Sequence, residues 1–92
     1  MGGYVTYLEV RLSPNSAQPE HLTTELRNMG WNPVWGRYDY AYYWDERWNW
    51  QNEGEYWTKV NELHEVLRRF NVHYSLRTYE RGKEDFWVGG YP

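Results

Sequence analysis

The sequence predicts an α+β domain, a two-layer sandwich in which two helices pack on one face of an antiparallel sheet. Three observations lead there. Two segments, Tyr4 to Leu12 and Val72 to Glu80, alternate apolar and polar residues with the two-residue period of half-buried strands. Two others repeat apolar residues every three or four positions, as amphipathic helices do. The elements then run strand, helix, extended aromatic segment, helix, strand, and in a 92-residue chain this order buries both helices most simply on one side of one sheet.

In the first strand, Tyr4, Thr6, Leu8, Val10 and Leu12 form the inward face, against Val5, Tyr7, Glu9 and Arg11. Ser13 to Gln18 reads as loop from its Pro, Asn and Ser content. Pro19 suits the first position of a helix, Glu20 its positive end, Leu22, Leu26 and Met29 share one face, and Gly30 stops it. Trp31 to Trp44 reads as one extended strand, with Pro33 near its beginning. Asp45-Glu46 then turns into a short second strand, Arg47 to Gln51. A helix over Glu55 to Phe70 follows from Trp57, Val60, Leu63, Leu67 and Phe70. Glu53 and Glu55 stand at its start, with Arg68 and Arg69 at its end, as the macrodipole favours. Phe86-Trp87-Val88 adds a short edge strand. The expected domain spans residues 1–88, with 89–92 a flexible tail.

This order, βαββαβ with an extra edge strand, resembles the ferredoxin-like fold class over nearly the whole chain. The resemblance is one of element order; it implies a split βαβ sandwich and no particular activity.

Composition limits the function. One domain fits in 92 residues, and the 21 % aromatic content opposes disorder. No apolar run nears the ~18 residues of a membrane span, so no membrane association is expected. The absence of cysteine removes disulfide and thiolate chemistry and favours a cytoplasmic address. The net charge of −3 is uneven: Asp39 to Glu65 holds seven acids against Arg47 and Lys59, whereas Val66 to Lys83 holds five bases against Glu80. The overall sign argues against nucleic acid.

The stretch WGRYDYAYYWDERWNW, Trp35 to Trp50, places eight tyrosines and tryptophans in sixteen residues. Alternation assigns Tyr38, Tyr40, Tyr42 and Trp44 to the helix-facing core, with Leu8, Val10, Leu12, Tyr74 and Leu76. The opposite, open face is expected to carry Tyr7, Glu9, Arg11, Trp35, Arg37, Asp39, Tyr43, His73, Ser75, Arg77 and Tyr79. Four readings compete for that face. It could be a solvated surface with cross-strand pairs such as Glu9–Arg77. Its aromatics and arginines also suit a homodimer interface or a platform for a protein or small ligand. The RNA-recognition motif shares the element order, but its basic-glycine-aromatic signature has no counterpart here. Finally, His73 with Asp39 and Arg77 could do acid–base work in a cavity formed between two sheets, as in small cofactor-free or haem-handling enzymes of this architecture. The expected function is therefore binding, either self-association or capture of a partner, on the open face. No residues with the spacing of a catalytic motif, a metal site or a cofactor loop are found. His64 borders the buried stripe of the second helix, and His21 lies in the first helix's opening turn.

Overall fold

A computed structural model describes residues 3–16 and 18–84 and the backbone of 88–90. The chain runs β1 (Tyr4–Arg11), α1 (Pro19–Asn28), β2 (Asn32–Gly36), β3 (Tyr40–Tyr43), a 3₁₀ turn (Trp50–Asn52), α2 (Glu53–Arg69), β4 (His73–Glu80) and β5 (Val88–Gly90). It is an α+β fold: β4, β1, β3 and β2 form an antiparallel sheet in that spatial order, and β5 joins β2 at the far edge. Gly89 and Gly90, assigned to the tail by the sequence reading, pair with Trp35 and Val34. Phe86 and Trp87 of the expected edge strand lie outside the described residues.

Both helices form close to where their signals lie. Pro19 opens α1, and Gly30, at φ +96°, ends it; its amide donates to the Arg27 carbonyl. Lys59, reaching across from α2, donates to the Met29 carbonyl at 3.2 Å and so neutralises the negative end of α1. Asn71, at φ +59°, turns the chain out of α2.

The main core lies between the helices and the even-numbered faces of β1, β3 and β4. Leu22 and Leu26 of α1 and Leu63, Val66 and Leu67 of α2 pack with Leu8, Trp31 and Tyr40. Burying a leucine side chain stabilises by about 2 kcal/mol, so this cluster holds the two layers together. The buried indole N–H of Trp31 has no hydrogen-bond partner among the described residues. Beside this core, Trp44 stacks on Trp48 at 4.6 Å, and Trp44 donates through Nε1 to Thr6 Oγ1 at 2.9 Å. Thr6 in turn shares a 2.8 Å bond with Thr78.

Four expectations are corrected. Trp31 to Trp44 is not one strand: Gly36, at φ +108°, turns it into the β2–β3 hairpin. No strand forms over Arg47 to Gln51. Trp48 instead folds back into the core, and the Asn49 side chain accepts from the Gln51 amide to start the 3₁₀ turn. Leu12 lies past the end of β1 and is half-exposed rather than core. Trp57, placed on the buried stripe of α2, is 52 % exposed; Leu63 and Leu67 of that stripe are buried as expected, and the helix turns Val66 and, in part, Tyr56 inward beside them.

Candidate functional site

The face expected to be open divides in two. At the end near Tyr79 it carries a second core, formed by Val5, Tyr7, Val34, Tyr38 and Ala41, with Tyr43 and Tyr79 packed against it. Tyr7 is only 5 % exposed. Its ring stacks on Tyr38 at 5.2 Å and meets Tyr79 edge-on at 5.9 Å. The cover comes from the chain that leaves β4. The Tyr7 hydroxyl donates to Glu84 Oε2 at 2.9 Å, the other oxygen of Glu84 accepts from the Gly82 amide, and the Arg81 guanidinium lies 5.1 Å from the Tyr43 ring. Burial, reinforced by the Glu84 carboxylate, pushes the Tyr7 phenol well above its ordinary range. Burial raises Tyr43 too, and Arg81 partly offsets it. Tyr7, Tyr43 and Tyr79 are thus structural on this side of the sheet, and a cavity between two open sheets would find one wall already filled.

The other end of the same face stays polar. Glu9 lies opposite Ser75, which donates to it at 3.3 Å, so the expected Glu9–Arg77 pair gives way to this one. Arg77 stands opposite Tyr7, and His73 opposite Arg11. Arg11, His73 and Arg77 are exposed.

Three residues expected on this face are elsewhere. Pro33 pairs with Tyr40, so odd positions of β2 point to the helix side; Trp35 shares that side and is 61 % exposed. Tyr38, expected among the helix-facing residues, packs on Tyr7 instead. Arg37 and Asp39 sit in the hairpin turn. The Arg37 guanidinium lies 5.7 Å from the Tyr38 ring, and the Asp39 carboxylate accepts from the Val10 amide at 2.9 Å. Asp39 is therefore occupied away from His73, and the pair needed for a general base is not assembled among the described residues.

The feature that sequence reading missed is the free edge of β4. Leu8 accepts from Asp39, Tyr4 accepts from Trp44, and the Val10 amide donates to Asp39, so even positions of β1 direct their backbone groups toward β3. Odd positions of β1 then bond to β4, through the pairs Val5–Tyr79, Tyr7–Arg77, Glu9–Ser75 and Arg11–His73. In β4 the alternate residues Tyr74, Leu76 and Thr78 must aim their N–H and C=O groups away from the sheet, where no strand adjoins them among the described residues. Their side chains meanwhile face the helices. Leu76 and Tyr74 lean on the main core, Thr78 Oγ1 lies 3.2 Å from the Tyr56 hydroxyl, and Tyr74 shares a 2.7 Å bond with His64 Nδ1. Burial raises the Tyr74 phenol. A shallow groove of about 320 Å³, lined by His64, Arg68 and Tyr74 among others, opens at the start of the strand.

No protein-family model matches the chain, and no curated protein or solved structure is significantly similar to it. No helix among the described residues is long and apolar enough to cross a membrane.

Proposed function

We propose that this protein is a non-catalytic interaction domain that self-associates by pairing β4 with β4 of a second copy, continuing the sheet from one subunit into the next. The observation that carries this reading is an eight-residue edge strand whose outer backbone groups have no partner strand among the described residues. Long edges of this kind attract other strands, and proteins usually block them with proline, bulges or inward-pointing charges. β4 has no proline, and its alternation is unbroken against β1 throughout.

The register follows from the chemistry. A two-fold axis at Leu76 sets Leu76 against Leu76 and Tyr74 against Thr78, which pairs every outward backbone group of those three residues. On the polar side it sets Ser75 against Arg77 and His73 against Tyr79, with no like charges directly opposed. Centring the axis on Arg77 would oppose two arginines. Glu9, Arg11, His73 and Arg77 then flank the joint instead of forming a ligand platform. The element order, with β3 between β1 and β2, also supports the ferredoxin-like reading of the fold, which adds nothing about activity.

Amide exchange read at two protein concentrations tests this. In dilute monomer the amides of Tyr74, Leu76 and Thr78 should exchange fast while those of Ser75 and Arg77 are protected. At high concentration the first three should slow, and sedimentation should report a dimer. Leu76→Pro removes one outward donor together with the packing of Leu76 on the main core, so it should melt at a lower temperature than the parent and sediment as a monomer where it is folded. A strict monomer at millimolar concentration overturns the proposal. So does a dimer in which Leu76 and Thr78 still exchange fast.

A further inference from the structure

Trp57 serves neither core. It is 52 % exposed on α2, and its indole N–H donates to Glu53 Oε2 at 3.2 Å. Its ring meets Tyr56 edge-on at 5.1 Å, and Tyr56 lies 4.9 Å from Trp50, itself 44 % exposed. Trp50 is braced from behind by Trp48 at 4.9 Å and by Tyr4 at 6.0 Å. These contacts link Trp50, Tyr56 and Trp57 into one aromatic surface where the 3₁₀ turn enters α2.

Acids outnumber bases along this part of the chain, where Arg47 is the one base between Asp45 and Glu55. Glu53 and Glu55 lie in the first turn of α2, and Glu46 is exposed in the preceding loop. The ion pairs among the described residues join Lys59 to Glu62, Arg68 to Glu65 and Lys83 to Glu80, and none uses Glu46, Glu53 or Glu55. The helix dipole accounts for acids at Glu53 and Glu55, but not for two tryptophans held half-bare beside them. An indole face attracts a cation through its quadrupole, and an adjacent carboxylate adds to that attraction. The guanidinium of arginine can stack on an indole and engage a carboxylate at once.

We infer that the Trp50–Tyr56–Trp57 surface binds an arginine-bearing, basic segment of a partner protein, with the guanidinium on the indoles and Glu53 as its counter-charge. This surface touches β4 only through the 3.2 Å contact between the Tyr56 hydroxyl and Thr78 Oγ1, and the inference does not depend on self-association.

The test titrates the full chain with hexa-arginine in low salt, followed by tryptophan fluorescence and calorimetry, with hexa-glutamate and cellohexaose as controls. Hexa-arginine should bind and weaken as salt rises, while both controls stay silent. Trp57→Ala and Glu53→Gln should each weaken it about fivefold or more. Trp35→Ala, which removes an exposed tryptophan from a different part of the surface, should leave it unchanged. All variants should keep the parent's circular dichroism and melting profile, since Trp57 and Glu53 contribute little to either core. Equal losses in Trp35→Ala and Trp57→Ala would reduce the effect to diffuse electrostatics and overturn the inference. Absence of hexa-arginine binding overturns it too, as does salt-independent binding of cellohexaose at the tryptophans.

Discussion

Tyr7 and Arg77 face each other across β1 and β4, yet one belongs to a core and the other to solvent. Replacing Tyr7 by Ala removes a ring that is 5 % exposed, its stack on Tyr38, its edge contact with Tyr79 and its bond to Glu84. Truncating a buried aromatic costs about 3–5 kcal/mol. Small domains hold only about 5–15 kcal/mol in all, so this single change should remove about a fifth of the stability or more. Tyr7→Phe keeps the ring and loses one hydrogen bond. Glu84 is half-exposed and can rehydrate, which limits that cost to about 1 kcal/mol. Arg77→Ala should cost less than about 0.5 kcal/mol, as surface changes usually do. Urea unfolding followed by tryptophan fluorescence should rank the variants Tyr7→Ala, then Tyr7→Phe, then Arg77→Ala, with unchanged slopes. If Tyr7→Ala costs no more than Arg77→Ala, the second core does not exist and this face of the sheet is open.

Other outcomes follow from single contacts. Thr6→Val keeps the shape but strands the indole N–H of Trp44 and loosens Thr78, and should cost about 1–3 kcal/mol, visible as a drop of several degrees in Tm. Gly30→Ala should destabilise more than Gly82→Ala in the same melt. Both glycines have positive φ, but a Cβ on Gly30 would sit 3.1 Å from Tyr42 Cε1, whereas one on Gly82 meets nothing within 4 Å. Alkaline pH should weaken the fold. Tyr7, Tyr43 and Tyr74 all have folded pKa values raised by burial, so their contribution is complete below about pH 10 and is lost as pH rises beyond it, where only the unfolded chain ionises readily. Urea midpoints measured from pH 8 to 11 should fall along this limb, and Tyr7→Phe should flatten it; a midpoint that rises across that range would contradict the burial of these phenols.

Much of the scaffold was legible because its signals are local. Pro19 and Gly30 bound α1, the acids and arginines mark the ends of α2, and strict alternation identifies β1 and β4 with their two faces. The aromatic stretch was harder. Its residues favour extended chain wherever they stand, so alternation alone hid the turn at Gly36, and one misplaced turn reversed the sides assigned to β2. Trp57 fitted a helical stripe that a slight rotation of α2 about its axis turned outward.

By itself, then, the sequence determined two amphipathic helices, two alternating strands and their packing on one side of a sheet, because periodicity records which way neighbouring side chains point. Tertiary structure decided the rest: that Glu84 and Arg81 cover the aromatic half of the other face, that β4 stands at the edge of the sheet, and that Trp50 and Trp57 stay half-exposed beside acids that form no ion pair among the described residues. These depend on which distant segments meet. A period of two or three and a half residues carries no information about segments seventy positions away.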